Sequence, residues 1–376
     1  MTIDTPSSSP GIFSTAQVPK AIDELFSYEK FLKGMQAFLP QEFYDYVMEA
    51  KNTIESSRDF QKHLIRPFLQ LLIDISTEGL SASGLDQLDS EKKYLFISNH
   101  RDIGLDSAFL NAVLFDNGFT TCQIAIGDNL MKHRVAELVF KINKSFAVNR
   151  SGSPREIYQS SIALSNYIYK TITTHTDSVW IAQREGRAKD GNDRTQIGVL
   201  KMLSMSAEST LSEHYNELNI VPVAMSYEYD PCDALKTKEY ISKLSNPEYK
   251  KTFEEDVHSI LQGFRGQKGQ VHVAFGNPIQ FKNEERSKKA DKLMMENLAF
   301  EIDRQIHDIY QLNPINFIAH DLVANTDRYS EHYMINEKED ISNRFDSIIG
   351  TFPPSQQMEA KSYLLGIYAN PVINKL

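Results

Sequence analysis

The sequence predicts an α/β fold: a mixed, mostly parallel sheet flanked by helices, with helical extensions before and after it. From about residue 83 to 283, short runs rich in β-branched residues alternate with helical stretches, an alternation typical of α/β proteins. The segments on either side, 19–82 and 284–376, instead repeat apolar residues at helical spacing. We therefore expect a disordered leader over 1–18, a helical N-terminal region, an α/β domain and a helical C-terminal extension.

Local signals define the individual elements. The candidate strands of the central region are six apolar runs, 93–98, 120–126, 145–149, 178–183, 219–227 and 270–276. The clearest helix start is the segment from Ser153 to Glu156, where a serine cap precedes a proline and the glutamate closes a capping box. In the N-terminal region, apolar spacing over 60–76 predicts a helix, which Pro67 should bend or split.

The charge distribution bears on possible partners. The chain has 376 residues and a net charge of -10 at pH 7, which argues against general nucleic-acid binding because that function needs a basic footprint. Between Lys132 and Arg155, however, basic residues predominate and Glu137 is the one acid. A basic patch on an acidic protein suits a phosphorylated substrate, an acyl carrier or anionic lipid.

Cysteine content and apolar run length indicate the compartment. Cys122 and Cys232 are too few for a disulfide framework or a structural zinc site, so a reducing cytoplasm fits best. No apolar run approaches the roughly 18 residues of a transmembrane helix, and the segment 1–10 lacks the layout of a signal peptide. We expect a cytoplasmic protein that meets lipid peripherally, at the inner face of the membrane.

A polar cluster follows the first candidate strand of the central region. It contains Asn99 and His100, followed by two carboxylates, Asp102 and Asp106. A histidine and a carboxylate at a strand-to-helix turn can act as one unit, because the carboxylate fixes the imidazole tautomer and the other ring nitrogen takes a proton. Either aspartate could be the partner of the histidine.

Three further motifs follow in order. The run 146–150 is a short apolar strand that ends on Arg150, the run 180–187 leads into a charged glycine turn, and the run 220–227 is an apolar strand with Pro222 near its start. With the histidine cluster, these motifs resemble the four ordered motifs of the glycerolipid acyltransferase family, which includes glycerol-3-phosphate and lysophosphatidate acyltransferases. The resemblance covers about residues 93 to 279.

The resemblance has two departures. The family's aspartate lies five residues after the histidine, where this sequence has Leu105, and Asp106 is one residue further on. We expect Asp106 rather than Asp102 to pair with His100, because the helix that follows starts in the family-like place. In the third motif, the arginine directly follows the glycine instead of standing one residue later.

The resemblance implies a reaction and two catalytic residues. A fatty acyl group would pass from a thioester, acyl-CoA or acyl carrier protein, to the hydroxyl of a phosphorylated glycerol or lysolipid acceptor, with no metal and no other cofactor. His100 would be the general base, and Asp106 would accept from its other ring nitrogen and stabilise the imidazolium.

The resemblance also implies a substrate-binding set. Arg150 and Arg187 would bind the phosphate of the acceptor, since a guanidinium group binds phosphate bidentately. Glu185 and Gly186 would shape the same turn, because glycine permits a positive φ and glutamate can hold a nearby arginine or amide.

Two other functions remain open at this stage. The acceptor could be a lysophospholipid or an amino-acid-headed lipid without a phosphate. The chain could also be a catalytically silent relative that acts as a binding module at the membrane surface. Zinc hydrolase, serine hydrolase and thiol redox chemistry lack their motifs, since the sequence has no H-E-x-x-H, G-x-S-x-G or C-x-x-C.

Overall fold

A computed structural model describes residues 11–282 and 287–376. Most of the predicted leader therefore lies outside the described residues, and so does the predicted boundary at 283/284. Within the described part, Thr15–Gln17 forms a 3-10 helix that leads directly into the first α-helix. The division of the chain into domains stays a prediction.

One sheet organises the described residues. Its strands are β1 (Gly79–Ser83), β2 (Leu95–Ser98), β3 (Gln123–Gly127), β4 (Ser145–Val148), β5 (Val179–Ala182), β6 (Ile220–Tyr227) and β7 (Gln270–Phe275). The spatial order is β1-β7-β6-β2-β5-β3-β4. The neighbours from β6 to β4 pair in parallel, β7 pairs antiparallel with β6, and β1 pairs in parallel with β7. The predicted mixed, mostly parallel sheet is confirmed.

Helices precede, flank and follow this sheet. Those before it are α1 (Val18–Ser27), α2 (Glu29–Phe38), α3 (Gln41–Ala50), α4 (Ser57–Phe60) and α5 (Arg66–Ser76). Those between the strands are α6 (Leu105–Asp116), α7 (Arg134–Ile142), α8 (Pro154–Thr173), α9 (Ile197–Leu203), α10 (Leu211–Glu217), α11 (Asp233–Ser245) and α12 (Phe253–Arg265). Those after it are α13 (Lys288–Ile309), α14 (Pro314–Ala324), α15 (Ile335–Ile349) and α16 (Gln357–Lys375).

Two local predictions are confirmed. Ser153 caps α8, accepting from the backbone N–H of Glu156, whose side chain accepts from the Ser153 N–H in return. The helix predicted over 60–76 is split before Pro67, where a π-helical turn, Gln61–Ile65, separates α4 from α5.

The sheet begins earlier than the sequence indicates. Strand β1 lies in the segment predicted to be helical, and its residues Gly-Leu-Ser-Ala-Ser carry no β-branched side chain. Their burial is also slight, because β1 is an edge strand that pairs only with β7. A strand of this kind has no alternating apolar pattern by which its sequence could be recognised.

The core consists of one apolar layer on each face of the sheet. Leu95 and Ile97 of β2 pack in the layer formed with α8, α9 and α13. Phe96, which points to the opposite face, packs with Phe109 of α6 in the layer that also includes α5. Because β2 is buried on both faces, it reads as a continuous apolar run.

The terminal helices form two further clusters. Leu138 and Ile142 of α7 pack with α1, α3 and α4 of the N-terminal region. Helices α14, α15 and α16 share a cluster of their own that includes Phe345 and Tyr368. No helix in the part of the chain that the structure describes is both long and apolar enough to span a membrane.

The orientation of the parallel strands determines where function can lie. The carboxyl ends of β2, β3, β4, β5 and β6 meet at one edge of the sheet, and loops at such an edge form the ligand sites of many open α/β proteins. The polar motifs of the sequence follow β2, β4 and β5 directly. They are therefore brought to a common edge.

Asn111→Ala tests how firmly α6 is held on the sheet. The buried Asn111 side chain accepts from the backbone N–H of Cys122 at 2.8 Å and donates to its carbonyl oxygen at 3.2 Å. Removing it leaves both backbone groups buried without these partners, so we expect the free energy of unfolding in urea to fall by about 1–3 kcal/mol. The exposed Asn343 of α15 is the control, and Asn343→Ala should change stability by less than about 0.5 kcal/mol. Equal losses in the two variants would contradict the role of Asn111.

Candidate active site

The centre of the candidate site is a histidine paired with an aspartate. His100 follows β2, and its Nδ1 lies 2.8 Å from Oδ2 of Asp106, at the start of α6. The His100 side chain is 14% exposed, while that of Asp106 is fully buried. Nε2 of His100 has no hydrogen-bond partner among the described residues, so this nitrogen is available to a substrate.

Asp106 is held by more than the imidazole. Its Oδ2 also accepts the backbone N–H groups of Arg101 at 2.6 Å and Asp102 at 3.0 Å. Its Oδ1 accepts the hydroxyl of Tyr227, at the end of β6, at 2.8 Å. Burial, and then the adjacent Asp106 charge, raises the pKa of Tyr227 well above its usual range. Tyr227 therefore stays a neutral donor to Asp106, a contact that no sequence motif indicates.

Asp102, the other aspartate that could pair with His100, is placed differently from Asp106. Its Oδ1 accepts the backbone N–H groups of Gly104 and Leu105 at 3.0 and 2.9 Å, so it satisfies the free donors at the start of α6. Burial raises the pKa of the Asp102 carboxyl, and the neighbouring Asp106 charge raises it further. Among the two aspartates, Asp106 is the one in contact with the imidazole.

A basic cleft opens beside His100. The loops after β2, β3, β4 and β5 contribute to it, as does the segment that leads into α12. Its charged lining residues are Arg150, Arg184, Arg187, Lys189, Lys251 and Asp256. The sheet edge thus combines a general-base candidate with a group of cations, an arrangement suited to an anionic substrate.

Arg187 is the most deeply placed of the predicted phosphate ligands. Its side chain is only 7% exposed, and its buried Nη1 has no hydrogen-bond partner in the described structure. Nε of Arg184 is in the same situation. Because an unsatisfied buried donor is energetically costly, these nitrogens are favourably placed to donate to an anionic ligand.

Arg150 is the more exposed of the two predicted phosphate ligands. Its guanidinium Nη1 is 3.8 Å from Oε1 of Glu185, and both side chains are substantially exposed. Gly127 makes room for it, since a Cβ there would lie 3.2 Å from the Arg150 Cζ. Gly186 has φ +70, as predicted from the need for a left-handed turn.

Two lysines of the cleft were not assigned roles from the sequence. Lys189 is ion-paired with Glu239 of α11, and Lys251 with Asp256 of α12. Burial lowers the pKa of Lys189 to about 8. No sequence motif identifies either pair, because their partners are contributed by distant helices.

The basic segment 132–155 turns out to be mostly structural. Arg134 pairs with Glu24 and Glu137, and Lys144 pairs with Asp177. Arg150 is the member of the segment that lines the cleft. The local excess of positive charge in the sequence is thus compensated in part by acids from other segments.

A buried polar network supports the turn that carries His100. The Asn99 side chain bonds both the N–H and the carbonyl oxygen of Met225 in β6, at 2.7 and 3.1 Å. Arg101 pairs with Asp193, which lies in the loop after β5. Sequence reasoning could have suspected Asn99 and Arg101, which flank the histidine, but not their partners about a hundred residues away.

Comparison with known proteins identifies a related family. The family model described as Acyltransferase matches residues 80–226. A glycerol-3-phosphate acyltransferase of Pseudomonas paraeruginosa is 24% identical over 287 residues, which are 70% of this chain and 33% of that protein. The enzyme of the same name from Pseudomonas fluorescens strain SBW25 is 24% identical over 258 residues, or 65% of this chain and 29% of that protein.

The matches to the Pseudomonas relatives cover most of this chain but a smaller part of each relative. The chain spans about a third of the length of the curated relatives it matches. A crystal structure of a 1-acyl-sn-glycerophosphate acyltransferase from Thermotoga maritima superposes with a TM-score of 0.36 and 10% identity, over 76% of this chain and 93% of that one. The matched family model and the Pseudomonas relatives support the predicted resemblance to the glycerolipid acyltransferase family.

Asp102→Asn should make the stability of the protein less dependent on pH. Because burial raises the pKa of Asp102, the folded protein holds this proton more tightly than the unfolded chain. The stability so contributed is fully present below about pH 4 and is lost as the pH rises through the raised pKa. Asparagine keeps an oxygen that can cap α6 but carries no charge. Urea unfolding should show that Asp102→Asn loses less stability than the wild type between about pH 4 and pH 7; an unchanged pH dependence would contradict this assignment.

Proposed function

We propose that this chain is an O-acyltransferase that moves a fatty acyl group from a thioester to the hydroxyl of a glycerol-phosphate-type acceptor. The observation that carries the proposal is the His100–Asp106 pair, with Nε2 of the histidine open to a cleft rich in arginine and lysine. A general base can deprotonate the hydroxyl of a phosphorylated alcohol when a cationic surface beside it binds the phosphate.

The chemistry requires no covalent enzyme intermediate, because a thioester is already activated. His100 Nε2 takes the proton of the acceptor hydroxyl as its oxygen attacks the thioester carbonyl carbon. The C–S bond breaks when the tetrahedral intermediate collapses, and the imidazolium returns the proton to the leaving thiolate. Asp106 holds the imidazole through Nδ1 and stabilises its positive charge while the intermediate exists.

Arg187, whose buried Nη1 has no hydrogen-bond partner among the described residues, supports a phosphorylated acceptor. Its fork geometry would match a phosphate bidentately, and Arg150 would add a second charge from the outer part of the cleft. Glu185 would hold Arg150 near the cleft when no substrate is bound, given their 3.8 Å separation. The names of the Pseudomonas relatives agree with an acceptor of the glycerol phosphate type.

The donor and the location belong to the proposal as well. The donor would be acyl-CoA or acyl carrier protein, and the basic cleft suits the phosphate that both carry. A cytoplasmic protein acting at the inner membrane surface remains the expectation from the sequence. We find no separate structural observation that favours a lysolipid, an amino-acid lipid or a silent binding module.

An acceptor panel tests the proposal directly. Radiolabelled acyl-CoA and acyl carrier protein would each be offered with glycerol-3-phosphate, 1-acylglycerol-3-phosphate, a lysophospholipid and an amino-acid-headed lipid. Transfer to one of the two glycerol phosphates is expected, and the preferred one identifies the acceptor. Transfer only to the other lipids would replace the acceptor, and no transfer at all would favour the silent binding module.

His100→Ala and Asp106→Asn test the proposed base. Loss of the general base should lower kcat by about 10²–10⁴-fold, and Asp106→Asn should also lower it strongly, because an amide does not stabilise imidazolium. Asp102→Asn is the matched control, since Asp102 lies four residues away and caps α6 without contact to the ring. If Asp102→Asn impairs turnover more than Asp106→Asn, or His100→Ala keeps more than about a tenth of it, the assignment is wrong.

Arg187→Lys and Arg150→Lys test the phosphate contact. Lysine keeps the charge but loses the fork, so we expect KM for the phosphorylated acceptor to rise by about ten- to a hundredfold for Arg187→Lys. Arg150→Lys should have a smaller effect, because Arg150 is more exposed. KM for the acyl thioester should stay unchanged in both.

The exposed Arg155, on the first turn of α8, provides the control for charge-preserving substitution at the surface. Arg155→Lys should leave both Michaelis constants at the wild-type values. Should the two cleft variants instead raise KM for the thioester alone, the arginines bind the donor, and the glycerol-phosphate proposal loses its main physical support.

A further inference from the structure

The loop between β5 and α9, residues 183–196, contains the third motif and is held by helices from the far end of the chain. This third-motif loop carries Arg184 and Arg187 into the cleft, yet most of it has no regular secondary structure. The family model ends at residue 226, whereas the helices that hold the loop, α13 and α16, begin at residues 288 and 357.

Helix α16 contacts the loop just after Arg187. The Asn370 side chain donates to the carbonyl oxygen of Asp190 at 2.6 Å, and Asn374 donates to that of Gly191 at 3.4 Å. Gly191 has φ +75, and a Cβ on it would lie only 2.9 Å from the carbonyl carbon of Ile367. The loop backbone is therefore packed directly on the α16 backbone, at a position that only glycine fits.

Helix α13 holds the second half of the loop. Asp303 accepts both the backbone N–H and the hydroxyl of Thr195, at 2.7 and 2.6 Å. His307 Nε2 lies 2.6 Å from the carbonyl oxygen of Asp193. The loop is thus fixed by α13 and α16 from Asp190 to Thr195.

The same loop is connected to the histidine turn. The backbone N–H of Ala188 donates to the carbonyl oxygen of His100 at 2.8 Å. Asp193 pairs with Arg101, whose guanidinium carbon lies 5.5 Å from the ring centroid of Tyr310, directly after α13. The C-terminal helices therefore contact elements that border both the general base and the arginines.

We propose that α13 and α16 form a brace that positions the third-motif loop. The brace holds Arg187 and Arg184 so that they face the same cleft as His100. The proposal concerns positioning residues, chiefly Gly191, Asn370 and Asp303, none of which lines the cleft. Its consequence for acceptor binding rests on the function proposed above. Its structural part, the ordering of the loop by the brace, does not.

The physical reason for a brace is the cost of ordering an irregular loop. Fixing one residue of backbone costs about 1–2 kcal/mol of conformational entropy. Two arginines of this loop, Arg187 and Arg184, have a buried nitrogen without a hydrogen-bond partner in the described structure, which adds to the cost. Hydrogen bonds to Asp190, Gly191, Asp193 and Thr195 from the C-terminal helices offset it.

Gly191→Ala is the decisive variant, and Gly118→Ala is its matched control. Gly118 has a similar φ of +80, but a Cβ there would meet nothing within 4 Å, so it carries the same backbone strain without a contact. In the full-length chain, hydrogen exchange of residues 184–193 should be at least about tenfold faster in Gly191→Ala than in the wild type. It should be unchanged in Gly118→Ala.

A second pair of variants, with smaller structural changes, tests the proposal if Gly191→Ala does not fold. Asn370→Ala removes one hydrogen bond from the brace, while Asn343→Ala changes an exposed asparagine on α15. With thermal stability measured in parallel, Asn370→Ala should raise KM for the phosphorylated acceptor about threefold to tenfold and leave KM for the thioester unchanged. Asn343→Ala should change neither constant.

A double mutant that combines Asn370→Ala with Arg187→Lys distinguishes a positioning role of Asn370 from a general loss of stability. If the brace acts through Arg187, the effect of Asn370→Ala on acceptor KM should largely disappear in an Arg187→Lys background, because the effects of coupled residues do not add. Additive effects would overturn the proposal, and so would wild-type exchange of residues 184–193 in both Gly191→Ala and Asn370→Ala. If the wild type transfers no acyl group, the proposed function fails, and the exchange measurements still decide whether the brace exists.

Discussion

The buried carboxylate of Asp106 is the constraint on which the site depends. A fully buried carboxylate is tolerated only when hydrogen-bond donors replace its hydration, and here four donors do so. Two are backbone N–H groups of the β2–α6 turn, one is the hydroxyl of Tyr227 at the end of β6, and one is the His100 ring. The carboxylate therefore joins two neighbouring strands and a helix start, and it fixes the direction in which Nε2 of the imidazole points.

The contrast between the two aspartates shows why a spacing pattern gives only part of this arrangement. In sequence, Asp102 is the nearer carboxylate and Asp106 stands one residue beyond the family position. In the structure, the Asp102 carboxylate bonds N–H groups at the start of α6, which directs it away from the imidazole, and Asp106 on the first turn reaches back to the ring. The extra residue lengthens the turn before α6, and the helical geometry after it keeps the pairing.

The sequence was informative where a residue is specified by its neighbours along the chain. The strand predicted over 93–98 and the capping box at Ser153 follow from local pattern, and both are found, the strand as Leu95–Ser98; the positive φ of Gly186 is one that glycine permits. It was uninformative where a residue is specified by a distant partner. Strand β1 has no pattern of its own and exists because β7 offers a pairing edge, while Tyr227 resembles any other apolar strand residue until Asp106 is placed beside it.

The same distinction applies to charge. The chain has a net charge of -10, and two cations of the basic segment, Arg134 and Lys144, are paired with acids contributed from other elements. The buried nitrogens of Arg187 and Arg184 lack hydrogen-bond partners in the described structure, as do those of Arg101 and Arg344, but only the latter two arginines form ion pairs there. Arg187 and Arg184 can keep unpaired nitrogens only if the backbone around them is held in place, so that its carbonyl groups do not shift to accept from the guanidinium groups. The loop bonds to the carbonyl oxygen of His100 through Ala188 and to α13 and α16 between Asp190 and Thr195, and the proposed brace would thereby keep these guanidinium groups from folding back onto the protein.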